Sequence, residues 1–134
     1  MRLYIDSNVF ISLIREEVST KRSLFAEAKS FFEKVAIQED IVIISELNIF
    51  EVNKKCFIKK EELLSILNQL SIKYELSKDI TKDSRNIALL GVHYPDCIHA
   101  STAINTKCTC IITFNKKDFE VISSTIPILE PNNY

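Results

Sequence analysis

Four acidic side chains lie close to short apolar segments of this chain: Asp6, Glu51, Asp96 and Asp118. Asp6 shows the pattern most simply, because it directly follows the apolar segment 3–5. Carboxylates that come together repel one another, and a hard divalent cation relieves the repulsion by binding their oxygens. Mg²⁺ or Mn²⁺ held in this way lowers the pKa of a water and neutralises charge on a phosphate. The acids therefore indicate metal-assisted attack on a phosphodiester.

Each acid must be positioned by a strand or a helix, and the sequence predicts the two in alternation. Short apolar, partly β-branched segments predict strands at 2–5, 40–45, 72–76, 109–113 and 126–131. The helical spacing of apolar residues predicts helices at 7–17, 20–38, 46–57, 60–71, 77–91 and 94–107. This alternation implies right-handed crossovers and an α/β fold with a central, mostly parallel sheet and helices on both faces.

The predicted order of elements brings the acids to one edge of the sheet. Asp6 ends the first strand, Asp118 follows the strand at 109–113, and Asp96 lies in the first turn of a helix. In open parallel sheets the functional crevice lies outside the carboxyl ends of the strands. Each acid alone could be a helix cap, a first-turn residue or a surface residue. The inference therefore depends on their joint placement.

Length and composition narrow the classes of protein to which the chain could belong. Its 134 residues, 46% hydrophobic and 26% charged, predict one globular domain over 1–134. The net charge of −1 argues against nucleic-acid binding through overall charge but allows a local basic patch. A single glycine, Gly91, excludes phosphate-binding loops and dinucleotide folds. The four cysteines contain no C-x-x-C pair, which favours reduced thiols over a zinc site.

Neither a membrane segment nor a secretory signal is predicted. The apolar runs are only a few residues long before a charged residue intervenes, which is too short to span a bilayer. The N-terminal residues "MRLYID" lack the basic and then apolar build of a signal peptide. We therefore expect a cytoplasmic protein without a membrane partner.

Four stretches, in this order, resemble the acidic motifs of PIN-domain nucleases: "LYIDSNVFI", "SELNIFEV", "YPDCIHASTAI" and "IITFNKKDFE". The resemblance extends over nearly the whole chain. Many small, single-domain members of that family are VapC-type toxins, which are ribonucleases held inactive by a partner antitoxin. The resemblance implies a three-layer α/β/α sandwich, a homodimer, and Mg²⁺- or Mn²⁺-dependent cleavage of single-stranded or structured RNA that leaves a 5′-phosphate.

The resemblance also implies roles for individual residues. Asp6, Glu51 and Asp96 match the three most constant acids of the family. The fourth position, often Asp in the family, is Asn115 here, so Asp118 is the candidate for the missing charge. The implied catalytic residues are Asp6, Glu51, Asp96 and Asp118, and the implied metal ligands are Asp6, Asp96, Asn115 and Asp118. Ser7 and Thr113 are expected to orient the acids or a metal-bound water from outside the metal's ligands. His99 lies three residues after Asp96 on the same helical face and could act as a general acid–base. We prefer for it a structural role, in which it hydrogen-bonds beneath the acids.

Two acids compete for the role given to Glu51. Glu46 is the residue directly after the strand at 40–45, and as a first-turn acid it is explained by the helix dipole. Glu51 has the spacing from Ser45 that the resemblance requires. We therefore prefer Glu51.

An RNA substrate would need positive charge near the acids, because phosphate contacts supply most of the affinity. Four lysines flank the acidic motifs: Lys54, Lys55, Lys116 and Lys117. Each of them could equally be a solvated surface lysine. The sequence shows no series of aromatic residues for stacking bases.

Other interpretations of the acids and of one apolar helix face also follow from the sequence. Asn115 favours an alternative in which the protein is a PIN-like metal- or RNA-binding regulatory module with little or no turnover. A haloacid-dehalogenase-type phosphatase is disfavoured, because its second acid would fall at Asn8. The wide apolar face over 24–36 predicts core packing, and its alternative is a groove for an antitoxin helix with the helix at 8–15 as the other wall.

Overall fold

The computed structural model describes residues 1–18 and 21–134, and within them strands and helices alternate as predicted. The strands are β1 (Arg2–Ile5), β2 (Ile41–Ser45), β3 (Lys73–Ser77), β4 (Cys110–Ile112) and β5 (Ile128–Leu129). The α-helices are α1 (Ser7–Ile14), α2 (Leu24–Gln38), α3 (Glu46–Cys56), α4 (Lys60–Gln69), α5 (Ser84–Leu89) and α6 (Asp96–Asn105). In this part of the chain, no helix has the length and apolar character needed to cross a membrane.

The five strands form one parallel sheet in the order β3-β2-β1-β4-β5. β1 is central, and its Leu3 lies opposite Val42 of β2 and Cys110 of β4. The chain passes from β1 outward to β3 and later returns to β4 on the other side of β1. The strand order therefore reverses between β1 and β4, and their carboxyl ends flank the crevice expected at such a reversal.

Side chains of β1, β2 and β4 alternate between two apolar cores, one on each face of the sheet. Leu3 and Ile5 of β1 pack in a core with buried residues of α1, α2, α3 and α4. Tyr4, between them, lies in the second core with buried residues of α5 and α6. This period of two is the geometry of a strand covered on both faces. The structure thus confirms the predicted three-layer α/β/α sandwich.

Some predicted helices are shorter in the structure. α2 begins at Leu24 because the Ser23 hydroxyl caps it by accepting from the Ala26 amide at 3.1 Å, and the predicted start at Thr20 falls outside the described residues. The prediction of a helix over 77–91 was wrong for its first half. There the Ile80 and Asp83 amides donate to hydroxyls of α6, at 2.9 and 3.2 Å, and not to carbonyls of a preceding helical turn.

The apolar face of α2 contributes to the core. Ala28, Phe31, Phe32 and Val35 are all buried. Phe10 of α1 stacks on Phe32 with ring centroids 5.6 Å apart. Core packing is therefore confirmed for these side chains, and a groove for a partner's helix stays a prediction.

Candidate active site

A pocket of about 510 Å³ opens at the carboxyl edge of the sheet, beside the ends of β1 and β4. Asp6 reaches it from the end of β1, Glu51 from α3, and Asp96 from the first turn of α6. Asn115 and Asp118 reach it from the segment after β4. The structure thus brings together all the acids that were predicted to be catalytic, and Asn115 with them.

Asp6 is held where β1 ends by contacts to the neighbouring strand. Its backbone amide donates to the Ile112 carbonyl of β4 at 2.8 Å, which fixes the backbone between β1 and α1. The Thr113 hydroxyl donates to Asp6 Oδ2, also at 2.8 Å. Burial raises the pKa of Asp6, and the nearby charge of His99 and the Thr113 hydrogen bond offset that effect only in part. Thr113 makes the contact that its predicted orienting role requires.

Glu51 is fixed through one of its two carboxylate oxygens. Ser7 Oγ donates to Glu51 Oε1 at 2.7 Å, and His99 Nε2 lies 2.6 Å from the same oxygen. Burial works against the charged form, but the bonds from His99 and Ser7 lower the pKa of Glu51 below its usual value. Glu51 is therefore ionised at neutral pH with a fixed orientation.

Glu51 belongs to a closed ring of six hydrogen-bonded side chains, of which three were not predicted. The ring runs through Tyr4, Ser45, Asn48, Ser7, Glu51 and His99. Tyr4 Oη lies 2.8 Å from Ser45 Oγ and 2.5 Å from His99 Nδ1. Asn48 Nδ2 donates to Ser7 Oγ at 2.9 Å and to the Ile5 carbonyl at 3.0 Å. The ring links helices on opposite faces of the sheet, α3 and α6.

The sequence contained weak indications of the three ring residues that were not predicted. Tyr4 is the only hydroxyl-bearing residue of its strand, and a buried tyrosine needs a partner for its hydroxyl. Ser45 and Asn48 have the spacing of a capping box, which the structure confirms at the start of α3. The cap was foreseeable from the sequence, but the reach of Asn48 to Ser7 across the sheet edge was not.

The surroundings of His99 favour its imidazolium form. Its Nε2 faces a carboxylate oxygen, which only accepts, so Nε2 donates. Its Nδ1 lies 2.5 Å from Tyr4 Oη, a hydroxyl that can accept from a protonated Nδ1 or donate to an unprotonated one. Burial disfavours the imidazolium charge, but the Glu51 hydrogen bond and the charge of Asp6 raise the pKa of His99 above its usual value.

Asp96 has a strongly perturbed carboxyl group. Burial, followed by repulsion from Asp6, raises the pKa of Asp96 from 3.8 to about 6, and Asp118 and Glu51 add to the repulsion. The charge of His99 offsets part of the effect. Within the described residues no hydrogen bond reaches the carboxylate of Asp96 or that of Asp118. These two groups are thus available to a ligand, and a cation would relieve their repulsion.

The donor set fits a hard divalent cation. In the part of the chain that the structure describes, Asp6, Glu51 and His99 place one potential ligand atom each within 4.8 Å of one another. His99 is fully buried and its Nε2 is directed to Glu51, so we assign it an orienting role. The pocket lining also offers carboxylate and amide oxygens, which suit a hard divalent cation. Asp96 and Asp118 line the same pocket but lie outside that close group.

The structure separates the two competing glutamates. Glu46 Oε1 accepts from the Asp79 amide at 2.9 Å, and Asp79 Oδ1 accepts from the Leu47 amide at 2.9 Å. These reciprocal bonds tie the start of α3 to the loop after β3. Glu46 does not line the pocket, whereas Glu51 does. This placement agrees with the preference for Glu51.

The predicted RNA-binding lysines fall into two groups. Lys54 and Lys55, on the last turns of α3, line the acidic pocket itself. Lys116 and Lys117 line an adjacent depression of about 490 Å³, which shares Asn115 and Asp118 with the pocket. A substrate that contacts all four lysines would have to cross the segment 115–118.

The fold and the site together define an α/β protein with an acidic, metal-competent pocket at the strand-order reversal of a parallel sheet. The model of the PIN domain family matches residues 3–124, and the chain belongs to that family. A similar fold occurs in the crystal structure of VapBC2 from Rickettsia felis bound to a DNA fragment from their promoter. The TM-score is 0.61 with 20% identity, over 97% of this chain and 98% of that chain. No curated protein sequence matches this chain.

Proposed function

We propose that this chain is a metal-dependent endoribonuclease, formed by a single domain over 1–134, and the toxin of a VapBC-type toxin–antitoxin pair. Membership of the PIN family supports a nuclease, since PIN domains are generally nucleases. The observation that carries the proposal is the convergence of four carboxylates with two lysines in one pocket. Acids alone are common on protein surfaces. A cluster of acids that repel one another, beside lysines that can bind phosphate, is typical of sites that cleave phosphodiester bonds.

Asp6 and Asp96 are the side chains that we assign to a Mg²⁺ or Mn²⁺ ion, with Asp118 or Asn115 beside them. Such an ion would lower the pKa of the attacking water and neutralise charge on the phosphate. Thr113 fixes Asp6 through Oδ2, at 2.8 Å, and this bond leaves Oδ1 for the pocket. The raised pKa of Asp96 means that ion binding competes with protonation below about pH 6.

Glu51 is assigned to the attacking water. It is ionised, and both of its fixed hydrogen bonds use Oε1. Oε2 can therefore accept a hydrogen bond from the water, or its proton as the phosphodiester bond is attacked. Ser7 and His99 keep the carboxylate in the one orientation that serves this role. Both are positioning residues, as neither needs to contact the substrate.

Lys54 and Lys55 are assigned to the phosphates of the RNA strand in the pocket, and Lys116 and Lys117 to phosphates beyond it. All four carry compact charges on flexible stems, which suits contacts to the RNA backbone without base preference. Because the acids already bring negative charge to the pocket, RNA would bind there together with the cation.

Cleavage of a generic RNA with Mg²⁺ or Mn²⁺ tests the proposal. We expect the wild-type protein to cut, EDTA to abolish cutting, and Asp6→Asn, Asp96→Asn and Glu51→Gln each to reduce the rate at least about 100-fold. Glu46→Gln is the matched control on α3, since the amide oxygen can still accept from Asp79, and it should cut at the wild-type rate. Equal rates for the wild type and Asp6→Asn would refute the site assignment.

The antitoxin and the homodimer form a separate part of the proposal. The R. felis neighbour is a VapBC2 assembly on promoter DNA, which supports a search for an antitoxin gene beside this one. Co-expression with that gene product should give a stable complex in which RNA cleavage is inhibited. Light scattering on the isolated chain should give twice its 15.4 kDa mass. A monomer, or a neighbouring product that neither binds nor inhibits, would remove the corresponding claim.

Asn115 supports a second candidate, a metal- or RNA-binding regulatory module with little turnover. The side chain lines the pocket where the family resemblance leads us to expect an acid. Asp118 lies in the same pocket, and for this reason we rank the nuclease first. Tight binding of Mn²⁺ and RNA without cleavage under any metal condition would favour the module.

A further inference from the structure

Two exposed aromatic rings border the acidic pocket, and the roles proposed above leave them unused. Phe50 is 62% exposed and Tyr94 is 78% exposed, although both side chains are large and largely apolar. Among the described residues only one further aromatic side chain, Phe57, is exposed. Single exposed apolar residues are common on proteins. Two of these three exposed aromatic rings lie at the same pocket, and this placement suggests that they have a role there.

The two rings approach the pocket from different elements. Leu47, Phe50, Glu51 and Lys54 line it from α3, at the spacing that places residues on one helical face. Phe50 therefore stands beside the catalytic Glu51 and one turn before a lysine. Tyr94 lines the pocket together with Pro95 and Asp96, next to α6. Each ring thus lies next to an acid assigned to the reaction.

The chemistry of the lining favours a nucleic-acid strand over the apolar face of a protein partner. An apolar helix laid across both rings would also cover Asp6 and Asp96, whose desolvation is costly without a counter-charge. An RNA strand with a cation places its phosphate at the acids and the lysines. Its bases are then free to turn outward toward the rings. Every base has a π-face, so stacking on aromatic side chains tolerates any sequence.

We propose that Phe50 and Tyr94 stack on unpaired bases on either side of the scissile phosphate. The inference rests on the proposed ribonuclease function. A duplex keeps its bases stacked on one another and cannot offer them to the rings. The two rings are positioning residues: they hold the strand in register, while the acids carry the chemistry.

The test uses a short single-stranded RNA with 2-aminopurine on each side of the linkage, bound to the protein in Ca²⁺. Stacking quenches the fluorescence of 2-aminopurine. Phe50→Leu and Tyr94→Leu keep the apolar bulk without the π-face, and each should weaken binding roughly tenfold and reduce the quenching. Phe50→Trp and Tyr94→Phe keep a ring and should retain both signals. Phe57→Leu, at the end of α3 and outside the pocket lining, is the matched control and should behave as wild type.

The outcomes separate this inference from the ribonuclease proposal. With Mg²⁺ or Mn²⁺, the leucine variants should show a raised KM, whereas cleavage of a fully paired duplex should be slow in every variant. If RNA is cut but the leucine variants bind, quench and cut as wild type, the stacking proposal is refuted and the nuclease stands. The rings would then belong to a protein contact. If no RNA is cut but quenching is lost in the leucine variants alone, the rings bind bases and the nuclease proposal fails.

Discussion

Asp96→Asn should make the metal-free protein more stable, although it should reduce the cleavage rate at least about 100-fold. The carboxyl of Asp96 has its pKa raised from 3.8 to about 6 in the folded state. An acid with a raised folded-state pKa stabilises the fold when protonated. That contribution is complete below about pH 4 and lost as the pH rises through 6. At neutral pH the ionised carboxylate of Asp96 therefore destabilises the folded protein.

The expected gain in stability follows from the pKa shift of Asp96 and from the solvent exposure of its side chain. A change from 3.8 to about 6 corresponds to about 3 kcal/mol at most. Asp96 is only half-buried, so solvent screening reduces this to about 1.5 kcal/mol. The neutral amide of Asn lacks the favourable interaction of the carboxylate with the N-terminus of α6, which contributes about 0.5 kcal/mol. A net gain of about 1 kcal/mol raises Tm by about 4 °C in a chain of this length.

Thermal unfolding in EDTA, followed by circular dichroism at about pH 7.5 and again near pH 4.5, measures this gain. The variant should unfold later than wild type at the higher pH, and the difference should shrink at the lower pH. Glu33→Gln, at an exposed position of α2, is the control for loss of one negative charge and should leave Tm unchanged. Added Mn²⁺ should raise the Tm of wild type more than that of Asp96→Asn. A variant less stable than wild type in EDTA at both pH values would refute the reasoning.

Three further predictions concern the ring, the fourth acid and the buried thiols. His99→Ala leaves the buried Tyr4 and the partly buried Glu51 without their hydrogen bonds to His99 and should cost about 2–4 kcal/mol in urea unfolding, whereas the exposed His93→Ala should change little. Asn115→Asp should tighten Mn²⁺ binding in calorimetry and Asp118→Asn should weaken it; unchanged affinities would place both outside the metal site. Burial raises the pKa of the Cys110 thiol to about 12, so mass spectrometry should find it unmodified by iodoacetamide in the native protein and modified in urea.

The sequence predicted the elements that local patterns determine. Short apolar strands ending in an acid, together with helical periodicity, were enough to place Asp6 and Asp96 at one sheet edge. The prediction of a helix over 77–91 was wrong in its first half. Hydroxyl groups of α6 accept hydrogen bonds from the backbone amides there, and such tertiary contacts leave no periodic pattern in the sequence. The sequence shows no series of aromatic residues for stacking bases, because Phe50 and Tyr94 are far apart in it. Phe50 and Tyr94 come together only through the fold.

The hydrogen-bonded ring has a consequence for how the folded protein forms and is lost. Its bonds join residues between 41 and 95 positions apart, apart from the local pair within the cap of α3. They can close only after β1, β2, α3 and α6 have all assembled, so we expect them to be absent from the folding transition state. Substitutions in the ring should then accelerate unfolding and leave the folding rate nearly unchanged. The ring therefore governs how long the native state persists more than how quickly it is reached.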